Sequence, residues 1–128
     1  MKKLFALFAA TLIAGSAFAG EFPDISISDL KKAIADKKVV VIDVMDANSY
    51  KAKHVPGAVS FAAVKADFAK ALPADKNALV VAYCGGPSCK AYQAAANAAE
   101  KLGYKNIKHL SAGISGWVSA GEKTEKAN

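Results

Sequence analysis

Hydrophobic residues gather in two short runs that contain almost no polar side chain. The runs cover residues 39–44 and 78–83 and are rich in valine. An apolar, β-branched run of this length predicts a strand buried on both faces, as strands are in a parallel sheet. Shorter β-branched or alternating patterns predict three more strands, at residues 25–27, 58–60 and 107–110.

Helical spacing of apolar residues alternates with these strands. The predicted helices are one after an N-cap at Ser28, a short one over residues 48–51, one through Val64, Phe68 and Leu72, one from about Cys89 to Leu102, and one that carries Trp117 and ends near Gly121. The polar tail, residues 122–128, is expected to be frayed. This order predicts an α/β fold, a three-layer sandwich around a central, mainly parallel sheet of about five strands.

The amino-terminal residues have the pattern of a secretory signal peptide. Two lysines precede an apolar run at residues 4–14, and Ala17-Phe18-Ala19 provides the small residues that a signal peptidase recognises. A membrane anchor is the alternative, but the run is shorter than the roughly 20 apolar residues that span a bilayer. We therefore predict a signal peptide over residues 1–19, one domain over residues 20–128, and a periplasmic or otherwise secreted protein.

Charge and composition narrow the range of partners. The chain has seventeen lysines, no arginine and a formal net charge of +6, which falls to +4 when Lys2 and Lys3 are removed with the signal peptide. The lysines are dispersed among acidic residues, which favours a solvated surface over a nucleic-acid site. No membrane association is expected after signal cleavage. Two cysteines and two separated histidines have no recognisable metal-binding spacing, so neither a metal nor a cofactor is expected.

Cys84 is the strongest candidate for chemistry. It ends a predicted buried strand and is followed by a Gly85-Gly86-Pro87-Ser88 loop and a helix. Reactive groups collect at the carboxyl ends of parallel strands, and helix amides together with a glycine turn favour a thiolate there. Lys90 adds a positive charge at the rim. The alternative is that Cys84 is only a small buried residue and that the glycines form an ordinary turn.

Several motifs occur together in a characteristic order. They are Val41-Ile42-Asp43-Val44, Tyr50, His54-Val55-Pro56-Gly57-Ala58-Val59, Val80-Val81-Ala82-Tyr83-Cys84, Ala94-Ala95, Leu102-Gly103-Tyr104, Asn106-Ile107, Leu110, Gly113, Trp117 and Ala120-Gly121. In this order and spacing the chain resembles the rhodanese-like domain family, over almost all of residues 20–128.

The resemblance implies a sulfurtransferase of the thiosulfate type. Cys84 would attack a sulfane donor such as thiosulfate or polysulfide, carry a persulfide, and pass the sulfur to a nucleophilic acceptor, which can be a protein. The substrate-binding loop would be Cys84, Gly85, Gly86, Pro87, Ser88 and Cys89, with Lys90 beside it. A loop of this length is associated with sulfur substrates, whereas related phosphatases have a longer loop that ends in arginine. In supporting roles we expect Asp43 to hold backbone amides of the loop and His54 to be a hydrogen bonder of the scaffold.

Three positions differ from the family pattern. Cys89 and Met45 stand where arginines are frequent, and Pro87 stands where glycine is common. Loss of both guanidinium groups predicts weak activity toward thiosulfate, because lysine cannot replace their bidentate grip on an oxyanion. Cys89 is open to three interpretations: a resolving thiol for Cys84, the partner of Cys84 in a permanent disulfide, or a packing residue. Two alternatives to an enzyme follow, a non-enzymatic sulfur- or anion-binding module and a thiol redox sensor that uses Cys84 and Cys89.

Overall fold

The computed structural model describes residues 22–127, so the predicted signal peptide lies outside the described residues. Within this range one parallel sheet has the strand order β2-β1-β3-β4. Its strands are β1 (Val39–Asp43), β2 (Val59–Ser60), β3 (Leu79–Tyr83) and β4 (Asn106–His109). The predicted α/β architecture with a parallel sheet is therefore confirmed, with four strands in place of about five.

The strand predicted at residues 25–27 is absent from this sheet. Asp24 makes a single parallel bridge to His109, and helix α1 (Ile27–Ala35) begins almost at once. The reason is local capping, since the Ser26 side chain accepts a hydrogen bond from the Asp29 amide at 3.0 Å. The N-cap is therefore Ser26, two residues before the predicted Ser28.

Helices cover both faces of the sheet. Beyond α1 they are α2 (Ala47–Ala52), α3 (Phe61–Val64), a 3-10 helix (Lys65–Ala71), α4 (Tyr92–Lys101) and α5 (Gly113–Ser119). On one face α4 packs Ala95, Ala96 and Ala99 against the strands, and the small side chains allow close approach. On the other face Leu30 of α1 and Trp117 of α5 pack over the central strands, which completes three layers.

Two predicted segments take a different form. The helix predicted through Val64 and Leu72 is interrupted, because Asp67 has non-helical backbone angles between its two parts. The tail predicted to be frayed is hydrogen-bonded: His54 and Glu125 exchange two backbone hydrogen bonds of 2.9 Å, and the Trp117 indole donates to the Lys123 carbonyl at 2.7 Å. These bonds hold the tail against the segment that follows α2. Among the described residues no helix is both long and apolar enough to cross a membrane.

Candidate functional site

The site is built where the two central strands end. Cys84 follows the last residue of β3 and is 6% exposed. The connection after β1 carries Met45 to one side of it, and the connection after β4 leads into α5 on the other side. The parallel sheet therefore brings three chain segments to the carboxyl end of β3, as the pattern of buried strands predicts.

Helix α5 fixes the backbone of the Cys84 loop. The amide of Ile114 donates to the carbonyl of Cys84 and the amide of Ser115 donates to the carbonyl of Gly85, each at 3.0 Å. Gly113, which begins α5, has a positive φ of 65° and lies against Gly85 and Gly86. In the sequence Gly113 was only one position of a family pattern, and Ile114 and Ser115 carried no signal at all, since their contribution comes from the backbone.

The helix after Cys84 begins later than the sequence predicted. Its first residue is Tyr92 rather than Cys89, and the residues before it form turns in which Cys89 donates its amide to the Gly86 carbonyl at 3.1 Å. The first amides of α4 likewise bond to the carbonyls of Lys90 and Ala91. Cys89 therefore belongs to the loop and not to a helix, and its own amide is used to close the turn.

Cys84 and Cys89 are joined by a disulfide bond. Their α-carbons lie 6.1 Å apart, within the range of about 4.4–6.8 Å that a disulfide requires. The Cys89 side of the bond is the more accessible one, since Cys89 is partly exposed and its neighbours Pro87, Ser88 and Lys90 are exposed. The structure thus represents the oxidised form, in which Cys84 has no free thiol.

Met45 covers the loop from the side of β1. Its Sδ atom lies 3.9 Å from Cys84 Sγ, and a Cβ atom on Gly85 would be 3.8 Å from the end of the Met45 side chain. Because Cys84 is oxidised and carries no thiol proton, the sulfur–sulfur approach is a van der Waals contact. In the sequence Met45 signals only the loss of an arginine, whereas in the structure its sulfur is the described sulfur atom nearest to Cys84 outside the disulfide.

A buried polar network holds Met45 in place. Asp43 is fully buried, and its carboxylate accepts hydrogen bonds from the Met45 amide at 2.7 Å and from the Tyr83 hydroxyl at 2.6 Å. The Tyr83 oxygen in turn accepts the Val55 amide at 3.0 Å. The expectation that Asp43 holds amides of the Cys84 loop is wrong, because both carboxylate oxygens are engaged by Met45 and Tyr83 instead.

Burial sets the ionisation of this network. Desolvation raises the pKa of Asp43 above its ordinary value, although the hydrogen bonds from Tyr83 and Met45 oppose the shift. Burial, and then the neighbouring Asp43, raise the pKa of Tyr83 far above its usual range. Tyr83 therefore stays a hydrogen-bond donor to Asp43. This role of Tyr83 is not among the roles predicted above, although a tyrosine within a buried strand signals it, because a buried hydroxyl needs a hydrogen-bond partner.

The two histidines lie in the scaffold. His54 stacks on the Tyr50 ring at a centroid distance of 3.9 Å, and its Nδ1 lies 2.8 Å from the Tyr50 carbonyl oxygen. His109 stacks on Tyr92 at 3.4 Å, and desolvation lowers its pKa. Within residues 22–127 no group of three or more His, Cys, Asp or Glu side chains is arranged to hold a metal ion.

A cavity of about 430 Å³ opens beside the loop, between α2 and α5. Met45 and Ser115 belong to its wall and also contact the loop, so the cavity lies directly beside the Cys84 site. Its lining combines apolar side chains, hydroxyls and one cation: Met45, Ile114, Val118, Ser49, Ser115 and Lys53. Such a cavity can accept a small molecule that is mainly apolar with an anionic end.

Comparisons with known proteins agree with this geometry. The family model described as "Rhodanese-like domain" matches residues 26–120. A thiosulfate sulfurtransferase, GlpE of Pseudoalteromonas translucida (strain TAC 125), is 30% identical over 107 residues, which are 82% of this chain and 98% of that protein.

Two solved structures show the same fold. A thiosulfate sulfurtransferase from Pseudomonas aeruginosa superposes with a TM-score of 0.70 at 24% identity and covers 86% of this chain. This chain spans only 20% of that protein. The polysulfide-sulfur transferase homodimer of Wolinella succinogenes has a TM-score of 0.67 at 19% identity, over 98% of this chain and 94% of its own.

Proposed function

This chain belongs to the rhodanese-like family, and on that basis we propose that it is a sulfurtransferase which carries sulfur as a persulfide on Cys84. The observation that carries the proposal is the position of Cys84, at the carboxyl end of β3 in a six-residue loop held by α5. A relative of similar length is a thiosulfate sulfurtransferase, which supports the same reaction class.

The reaction requires the reduced form of the protein. The Cys84 thiolate attacks the outer, sulfane sulfur of a donor, the S–S bond of the donor breaks, and its electron pair leaves with the remaining part, which is sulfite when the donor is thiosulfate. An acceptor thiolate then attacks the outer sulfur of the persulfide and takes it, which restores the Cys84 thiolate. A small thiol or a protein thiol can serve as the acceptor.

The walls of the cavity favour a polysulfide over thiosulfate as the donor. A sulfur chain is polarisable and mainly apolar, and it can lie against Met45, Ile114 and Val118 with its charged end toward Lys53. Thiosulfate instead presents a sulfonate, which needs several charged donors, and Lys53 is the one cation in the described lining of this cavity. We expect thiosulfate to react slowly.

Export is part of the proposal. The basic start, apolar run and Ala17-Phe18-Ala19 sequence have the form of a signal peptide, which would leave a domain at residues 20–128. A disulfide between Cys84 and Cys89 is in keeping with an oxidising compartment such as the periplasm.

Intact-protein mass spectrometry tests the proposal. The reduced protein, freed of reductant under anaerobic conditions, is exposed to polysulfide or thiosulfate and the mass is compared with that of Cys84→Ser and Cys89→Ser. We expect added sulfur in Cys89→Ser, located at Cys84 by peptide mapping, and none in Cys84→Ser. Equal sulfur uptake by a folded Cys84→Ser variant would show that the proposal is wrong.

The disulfide also favours a second candidate, a thiol redox module. If Cys84 and Cys89 sense the redox state, the bond must form and break within the range of a biological thiol buffer. Titration of the protein against mixtures of reduced and oxidised glutathione measures this. A bond that stays closed, or stays open, throughout the titration removes this candidate.

A further inference from the structure

Cys89 Sγ reaches the sulfur atom of Cys84 itself, as their disulfide shows. From this we infer a second activity, reductive release of sulfide, in which Cys89 resolves the Cys84 persulfide and the chain acts as a dithiol-dependent sulfane reductase. The inference rests on the proposed function, since it begins from the same persulfide. The two activities differ in their product: in the second, the sulfane sulfur leaves as sulfide and is not passed to an acceptor.

The loop geometry places Cys89 for attack on the inner sulfur of the persulfide. The turn closed by the Cys89 amide and the Gly86 carbonyl folds the loop back on itself, and the α-carbons of the two cysteines are 6.1 Å apart. At this separation Cys89 Sγ forms its bond with Cys84 Sγ, the atom that carries the extra sulfur in the persulfide. An acceptor from solution would instead meet the outer sulfur.

The step balances without any further reactant. The thiol of Cys89 attacks Cys84 Sγ, the bond between Cys84 Sγ and the outer sulfur breaks, and its electron pair leaves with that sulfur. The proton of Cys89 leaves with it as hydrosulfide. The sulfane sulfur is thus reduced by two electrons, and the two cysteine sulfurs are oxidised to the disulfide seen in the structure.

A second cycle requires a dithiol reductant. Cys84 is 6% exposed whereas Cys89 is partly exposed between exposed neighbours, so an incoming thiol reaches Cys89 first. Its attack on Cys89 expels the Cys84 thiolate, and the second thiol of the reductant then releases Cys89. The products are an oxidised dithiol and both cysteines reduced, with Cys84 ready for the next donor. A dithiol protein is the partner that this exchange fits.

A single-turnover experiment with thiosulfate tests the inference. Thiosulfate is chosen because its other product is sulfite, so any sulfide must come from the persulfide, whereas polysulfide brings sulfide with it. Reduced protein, free of reductant and under anaerobic conditions, is incubated with excess thiosulfate long enough to allow for slow loading. Sulfite and sulfide are quantified, and the protein is analysed by intact mass and peptide mapping.

We expect wild-type protein to release about one equivalent each of sulfite and sulfide and to end as the Cys84–Cys89 disulfide. Cys89→Ser should release sulfite, retain the added sulfur on Cys84 and release no sulfide until dithiothreitol is added. With dithiothreitol in excess, only the wild type should regenerate through the intramolecular disulfide.

Two results would overturn the inference and leave the proposed function intact. One is a stable Cys84 persulfide in wild type with Cys89 still a thiol. The other is added sulfur that maps to Cys89, which would show attack on the outer sulfur. If neither wild type nor Cys89→Ser acquires sulfur from thiosulfate or polysulfide, the proposed function itself fails, and the inference fails with it.

Discussion

Gly113 and Gly86 are in such close contact that no side chain fits between them. A Cβ atom built on Gly113 would lie 2.5 Å from the Gly86 nitrogen, and also 2.6 Å from the Gly85 carbonyl carbon. Gly113 begins α5, whose next two amides hold the carbonyls of Cys84 and Gly85. The start of α5 is therefore the surface on which the Cys84 loop is shaped.

We predict that Gly113→Ala displaces the loop. Its positive φ of 65° alone costs an alanine about 1–2 kcal/mol, and the clash with backbone atoms adds to this. Gly121→Ala is the matched control, because Gly121 also has a positive φ but a Cβ there would meet nothing within 4 Å. Denaturant unfolding and persulfide yield are measured for both variants. Gly113→Ala should lose more stability and most of its persulfide yield, and equal behaviour of the two would contradict the packing argument.

Tyr83 should be important for stability. Tyr83→Phe leaves the buried Val55 amide without its acceptor and removes one donor from the Asp43 carboxylate. An unsatisfied buried group costs about 1–3 kcal/mol, so the free energy of unfolding should fall by at least that much. Tyr50→Phe is the control, since this half-buried hydroxyl donates to the Ala58 carbonyl only and its loss should cost about 1 kcal/mol. A smaller loss for Tyr83→Phe than for Tyr50→Phe in denaturant unfolding would refute the network.

The raised pKa of Asp43 predicts a pH dependence of stability. Burial raises this pKa above the ordinary value of 3.8, so over the interval between the two values the native state binds the proton more tightly than the unfolded state does. The free energy of unfolding must then fall as pH rises through that interval. Asp43→Asn keeps the size of the side chain and cannot titrate.

The comparison of the two proteins isolates Asp43, because all other titrating groups are shared. Unfolding free energies are measured for both from about pH 4 to about pH 7. The stability of wild type relative to Asp43→Asn should be highest at the acidic end and decrease toward neutral pH. A relative stability that increases with pH would mean that the carboxylate is stabilised, and not destabilised, by its surroundings.

Much of the fold could be predicted from the sequence because its strongest signals are local. The run at β3 is apolar throughout and the run at β1 is apolar up to Asp43, and a strand buried on both faces needs such a composition. Cys84 could be placed at the end of a strand because it directly follows such a run. By contrast, the strand expected at residues 25–27 competes with the capping of α1 by Ser26, and an alternation of only three residues cannot decide between the two.

The contacts that shape the site could not be predicted in this way, because they join segments far apart in sequence. Asp43 looked suited to hold the amides of the loop, but the sequence does not reveal that the Tyr83 hydroxyl reaches the same carboxylate from the next strand. The contact of Gly113 with the loop likewise depends on the position of α5, which follows β4 in the chain. The tail after Gly121 is polar, which predicts a frayed end, yet its backbone is hydrogen-bonded to the backbone of His54.

Met45 should control the choice of donor. It stands between Cys84 Sγ and the cavity, where an uncharged thioether favours a sulfur chain over a sulfonate. Met45→Arg should raise the rate of persulfide formation from thiosulfate relative to polysulfide about 10- to 100-fold, the effect of one hydrogen bond to a charged group worth about 1.5–3 kcal/mol. Met45→Leu is the control, because it keeps the volume and adds no charge, so it should leave the ratio nearly unchanged. The two rates are measured for each variant on a Cys89→Ser background, in which the persulfide persists. An unchanged ratio in a folded Met45→Arg variant would show that the sulfonate does not approach through this cavity.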